Sequence, residues 1–197
     1  MGCASSQPLS DGPGGLVKAR HPSKGLCFGP VSGIFLVKTP SFEELMPRLN
    51  IALNDLKLQP FTALGPEGIL LACGSSAERG KSNPMTVSWG MFGTVWERPV
   101  ASILVRPSRH THGLLMGNPD FTLNWLPDHL ITAVNICGQA SGSAGDKWEL
   151  AGITPECGLK SSSPVVAESI LSLECRILIR QPLDPEQLQA LGLGIFY

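Results

Sequence analysis

The sequence predicts a mainly β, α+β fold of antiparallel strands with peripheral helices. Three observations point there. Leu171 to Ile179 alternates, with Leu171, Leu173, Cys175, Ile177 and Ile179 facing one way and Ser172, Glu174, Arg176 and Arg180 the other, broken only by Leu178. That is the period of a half-buried strand. Val100 to Val105 (VASILV) is apolar on both faces, which suits a strand buried on both sides, as in a closed barrel with something packed outside it. With 22 glycines and 17 prolines in 197 residues, and only 16% charged residues, the chain suits a loop-rich β or α+β protein better than a helical bundle. By length it is one domain, large enough to bury a full core.

In chain order, residues 1–29 are rich in Gly, Pro and Ser without sustained periodicity, and read as a flexible arm before a domain over 30–197. The opening MGCASS fits an N-acylation pattern at Gly2 and Cys3. An unprocessed start is the preferred reading, so a membrane partner is expected only if that end is acylated. Val31 to Val37 reads as a short strand. Ser41 with Glu44 forms a capping box, so a helix is expected from Phe42 with Leu45, Leu49, Ala52, Leu53 and Leu56 on one face, kinked at Pro47. Ile69 to Cys73 and Met85 to Trp89 read as strands joined in a hairpin by a long turn. That turn carries Arg79 and Lys81, which fit a solvated loop and also the approach of a ligand phosphate.

After the VASILV strand, Pro107 forces a turn. Ser108 or Thr111 then caps a short helix over Gly113 to Asn118. Phe121 to Leu126 is a strand with Phe121, Leu123 and Trp125 on its apolar face. Asp128 caps a helix whose inner stripe is Leu130, Ile131, Val134 and Cys137. Gly138 to Gly145 forms a loop in which backbone can approach a ligand closely. Near the end, Asp184 as cap and Pro185 in the first turn start a last helix.

Net charge is −1, which gives no electrostatic case for nucleic acid as a partner. Cys73, Cys137 and Cys175 lie in apolar segments, no C-x-x-C pair occurs and no secretory signal is evident. Free thiols and a reducing, cytoplasmic location are therefore expected. His110 and His112 form an H-x-H pair, two ligands where zinc needs three or four, so no metal site is expected.

Arg106 and Arg109 flank the start of the short helix, with Ser108 and Thr111 beside them. Free N–H groups at a helix start and planar guanidinium donors suit a phosphate. The same residues equally fit a solvated turn paired with Glu97, Asp120 or water. Four motifs in order add to this: MTVSW, then Trp96 to Pro99, then VRPSRHT with DFTLN, and finally CGQASGSAGDK at Cys137 to Lys147. Together they resemble the flavin reductase-like family, over about Gly68 to Pro185.

The resemblance implies an FMN-binding split β-barrel, with NAD(P)H as electron donor to the flavin, in a homodimer whose pocket lies at or near the subunit interface. It implies FMN contacts from Asn83, Met85, Thr86, Val87, Ser88 and Trp89 along a strand edge, from Arg106, Ser108, Arg109 and Thr111 at the phosphate, and from Ser141, Gly142, Asp146 and Lys147 in the glycine-rich loop. Trp89, Phe92 or Trp96 would wall the apolar end of the ring. Flavin and nicotinamide are then the small-molecule partners, and the cofactor carries the redox chemistry, so no side chain is named as catalytic. Alternatives are an electron-transfer flavoprotein without direct NAD(P)H use and a non-enzymatic flavin-binding descendant. Two departures bear on these: Ser143 and Ala144 stand where relatives carry Arg and Asp, and the chain stops at Tyr197, where relatives continue into another strand.

Overall fold

The structure is a computed structural model that describes residues 48–75, 77 and 80–194. The expected arm, the strand at Val31 to Val37, the capping box at Ser41 and the Arg79 reading lie outside the described residues. Residues 48–56 belong to a separate unit from the one that begins at Lys57. They contain one 3-10 turn, Leu53–Asp55, and no α-helix, which corrects the second half of the expected helix. Its apolar side chains Leu49, Ile51 and Leu53 are exposed, so no packed face holds these residues in a helix.

From Lys57 the chain is organised on a four-stranded antiparallel sheet in the order β2-β1-β5-β8. These strands are β1 (Ile69–Gly74), β2 (Ser82–Val87), β5 (Asp120–Trp125) and β8 (Leu171–Arg176). The β1–β2 hairpin forms, with Ile69 opposite Val87 and Gly74 opposite Ser82, but its second strand begins at Ser82 and ends at Val87, so Ser88 and Trp89, expected inside it, lie beyond it. β1 is buried throughout because both sheet faces are covered. On one face Leu71, Cys73, Met85, Val87, Phe121 and Leu123 pack together under Phe92, Ala101, Ile103, Leu114 and Leu115. On the other, Leu70 and Ala72 pack against Ala133, Val134, Cys137, Trp148, Ile153 and Val166.

A two-stranded ribbon, β3 (Gly90–Val95) with β4 (Arg98–Ile103), covers the first face. VASILV was expected to be buried on both sides. Instead β4 is half-buried at most, with Ser102 and Leu104 exposed. A ribbon of two strands has one face on the core, and among the described residues nothing covers the other. Its turn places Trp96 and Glu97 at φ 47° and 61°, the positive values that a two-residue hairpin turn requires.

Helix α1 (His110–Gly117) follows β4. Then come α2 (Ile131–Gln139), which is entered through a 3-10 turn at Asp128–Leu130, and α3 (Lys147–Ala151). The small pair β6 (Pro155–Glu156) and β7 (Val165–Val166) precedes β8, and α4 (Pro185–Ala190) follows it. Two cap assignments change. Neither Ser108 nor Thr111 caps α1, whose N-cap is Arg109 without a side-chain bond. Asp128 lies within the 3-10 turn and caps no α-helix. The Asp184–Pro185 start holds, with Asp184 accepting from the Glu186 N–H at 3.0 Å.

β5 departs from its expected one-sided burial, because Thr122 and Asn124 are as buried as Leu123. Their polar atoms are satisfied. Thr122 Oγ1 donates to Pro164 O at 2.6 Å, Asn124 Nδ2 to Leu70 O at 3.2 Å, and Asn124 Oδ1 accepts from Val166 N at 3.1 Å and Ser172 Oγ at 2.8 Å. A buried amide with its partners in place specifies the register of the strands it joins. β8 is an edge strand that ends at Arg176, so Leu178 and Ile179, expected inside it, are exposed. Cys73, Cys137 and Cys175 are free thiols that burial pushes up to about 11, which makes them inert at neutral pH. Cys157 differs from them: it is disulfide-bonded, so the all-thiol expectation does not extend to it. No helix of the described residues is long and apolar enough to cross a membrane.

Candidate functional site

The site is built around the edge of β2 that is left open among the described residues, where β2 pairs with β1 alone. The Ser75 N–H donates to Lys81 O at 3.2 Å, and the register stays constant from there to Val87. Antiparallel alternation then turns the backbone of Ser82, Pro84 and Thr86 away from β1. Trp148 Nε1 donating to Ser82 O at 3.2 Å agrees with that phase. Pro84 thus sits where its missing N–H removes no ladder bond, and the Thr86 N–H faces the free edge.

At the start of this edge lies an open cleft of about 330 Å³, lined by Asn83, Met85, Arg106, Ser108, Arg109, His110, Thr111, Ala140, Ser141, Gly142 and Lys147. Three elements supply it: the first half of β2, the turn into α1, and the loop between α2 and α3. Nine of the residues singled out from the sequence therefore meet in one place. The glycine-rich loop is shorter than expected, since α2 runs through Gly138 to Gln139.

Each cation is held in position. The Arg106 guanidinium lies over the Trp89 ring, 5.0 Å from its centroid, a cation–π contact that also restricts its rotamers. Arg109 Nη1 reaches Gly138 O at 3.4 Å. Lys147 is buried (3% exposed), its Nζ donating to Cys137 O at 2.6 Å and Ala140 O at 3.3 Å. Burial lowers the Lys147 pKa from its ordinary value; the neighbouring Cys137 opposes this and the Arg109 charge adds to it. Asp120, one carboxylate considered as a partner for the arginines, is instead bonded to the N–H groups of Ser162 and Ser163, each at 2.9 Å.

The glycine at 142 is dictated by contact. A Cβ there would stand 2.2 Å from Asn83 Oδ1 and 2.7 Å from His110 Cδ2, so the loop lies directly on β2 and α1. Asn83 is buried (5% exposed) and ties the edge strand to the helix, its Nδ2 donating to Thr111 Oγ1 at 2.7 Å and to Pro84 O at 3.1 Å.

Other residues singled out from the sequence stand apart from the cleft. Val87 is in the core. The Thr86 hydroxyl donates to Val134 O, which leaves its backbone N–H as the group on the edge. Asp146 caps α3 by accepting from the Trp148 N–H at 2.9 Å. Ser88 lines a second cavity of about 510 Å³ with Phe61, Leu64, Met91 and Phe92. Phe92 packs on Trp125 with ring centroids 5.9 Å apart, and Trp96 is exposed at the ribbon turn. Of the cleft residues, Ala140 carried no signal in the sequence, and His110 was weighed only as half of an H-x-H pair. The place of His110 inside the VRPSRHT motif was the available signal.

Two covered sheet faces, a ribbon and a cleft lined by cations at a helix start define a protein of split-barrel architecture. The chain belongs to the flavin reductase like domain family, whose profile matches residues 66–187, more than half of its length. Solved structures share the fold. Flavoredoxin of Desulfovibrio vulgaris (Miyazaki F) is 19% identical, with a TM-score of 0.54 over 68% of this chain and 69% of that one. Flavoredoxin from Methanosarcina acetivorans is 24% identical, with a TM-score of 0.52 over 70% and 68%. A protein with a split barrel domain from Shewanella frigidimarina NCIMB 400 is 23% identical, with a TM-score of 0.51 over 58% and 57%. Comparison with curated protein sequences gives no match.

Proposed function

We propose that this chain is an FMN-dependent oxidoreductase of the NAD(P)H:flavin reductase type, passing reducing equivalents to an acceptor the structure does not name. The observation that carries this is the convergence of Arg106, Ser108, Arg109 and Thr111 on one cleft at the first turn of α1, beside the open edge of β2. The donor set fits a phosphate monoester, with two planar guanidinium groups, hydroxyls, helix N–H groups and the Lys147 ammonium on the same cleft. The Thr86 N–H on the neighbouring edge suits the polar rim of a flavin ring. Trp89, stacked under Arg106, links the phosphate corner to that edge.

FMN held there would supply a hydride acceptor for NAD(P)H and a donor of electrons to the acceptor. The chain's own residues bind, orient and tune: Arg106 and Arg109 hold the anion, and the β2 edge aligns the ring. A nicotinamide donor docks beside the flavin without a Rossmann domain. A homodimer in the cytoplasm completes the proposal; the free thiols of Cys73, Cys137 and Cys175 favour that location and the Cys157 disulfide opposes it. Exposed Met91, Val95 and Trp96 on the ribbon support a second copy as the partner.

An absorbance spectrum of purified protein before and after addition of FMN tests this reading. Perturbed visible flavin bands are expected, bleached on anaerobic mixing with NADH or NADPH. A bound flavin that neither donor bleaches would make the protein an electron carrier. A colourless protein that takes up no FMN would leave only a non-enzymatic member of the fold.

A further inference from the structure

We infer that Asn83 is a positioning residue for the anion corner, one that fixes the Thr111 hydroxyl as a hydrogen-bond donor into the cleft. This rests on the reading of that corner as a flavin phosphate site. The chain of polarity starts at Pro84, whose carbonyl can only accept. It takes one hydrogen of Asn83 Nδ2 at 3.1 Å, which sets which end of the amide is nitrogen. The second hydrogen goes to Thr111 Oγ1 at 2.7 Å. A hydroxyl that already accepts in this way has its own proton to place, and among the described residues it has no acceptor. Thr111 is 1% exposed and lines the cleft, so its proton is directed to whatever occupies the corner.

The arrangement selects an acceptor. An ionised phosphate oxygen accepts from Thr111 as it does from Arg106 and Arg109, so the directed proton and the two guanidinium groups suit the same anion. Gly142 is part of the device, since a Cβ there would fall 2.2 Å from Asn83 Oδ1 and displace the amide. The sequence reading put Asn83 at the ring edge; on this inference it serves the phosphate end, through its bond to Thr111.

The test is the ratio of riboflavin to FMN dissociation constants, measured by titration for the wild type, Asn83→Ala, Thr111→Val, Thr111→Ser and the Asn83→Ala/Thr111→Val double variant. The two ligands differ only in the phosphate, so a general folding defect weakens both and leaves the ratio unchanged. Asn83→Ala and Thr111→Val should each lower the ratio about tenfold through FMN alone, as loss of one charge-assisted bond implies. The double variant should be no worse than the worse single one, and Thr111→Ser should keep the wild-type ratio. Equal weakening of both flavins by Asn83→Ala, or additive losses in the double variant, would overturn the inference. Should Asn83→Ala fail to fold, Thr111→Val behaving like Thr111→Ser would overturn it as well. A wild type that binds both flavins equally would sink the phosphate reading itself; a wild-type preference for FMN that survives in Asn83→Ala would sink this inference alone.

Discussion

Two loops in this protein gather donors around a point, and only one of them supplies its own anions. Between β6 and β7, Glu174 accepts the N–H groups of Leu159, Lys160 and Ser161 at 2.9, 2.7 and 2.6 Å, while Asp120 accepts those of Ser162 and Ser163 at 2.9 Å. Even the glycine there is shaped by the carboxylate, since a Cβ on Gly158 would meet Glu174 Oε2 at 2.8 Å. At the turn into α1, Arg106, Arg109 and Lys147 line a cleft with the Thr111 hydroxyl, and no acidic side chain among the described residues lines it with them. Clustered donors become structure when the chain supplies the acceptor, and a binding site when it does not.

The strongest way to break that contrast is to make the second loop resemble the first. Ser108→Glu places a carboxylate among the cations of the cleft, and FMN binding should fall by about 100-fold or more through competition and like-charge repulsion. Thermal stability should hold or rise, and a titration with a melting curve on the same sample reads both. Glu174→Ala removes the acceptor from the closed loop, and stability measured in urea should fall by about 2 kcal/mol with FMN affinity unchanged.

Acid gives the smallest and most specific effect. Burial works to raise the Asp120 pKa, but hydrogen bonds from Ser162 and Ser163 outweigh it and hold the carboxyl below its ordinary value. Its stabilising contribution is therefore complete above the unfolded value of about 3.9 and is lost as pH falls through the lowered folded value. Stability from urea unfolding of the wild type and Asp120→Asn should differ by about 1 kcal/mol at pH 7, and the difference should begin to shrink only below about pH 4 and close as the pH falls through the lowered folded value.

What could be read from the sequence was local. The β1–β2 hairpin, the β5 strand and the Asp184–Pro185 start follow from patterns within a few residues of one another. The cationic turn was legible because Arg106, Ser108, Arg109 and Thr111 are neighbours in the chain. Long-range satisfaction was not. Thr122 and Asn124 look like the wet side of a strand until Pro164, Leu70 and Val166 supply their partners. Asn83 meets Thr111 across 28 positions, and no spacing announces that bond. The apolar run at Val100 to Val105 misleads for a related reason, since a strand's pattern does not say how many neighbours its sheet will have.

The central claim is that the corner between β4 and α1 grips the phosphate of FMN through two guanidinium groups. An FMN titration of the wild type against the Arg106→Ala/Arg109→Ala variant, followed by flavin absorbance, tests it most directly. The account predicts saturable binding by the wild type and at least about 100-fold weaker binding by a variant that still melts cooperatively. Equal affinity in the two proteins would contradict it.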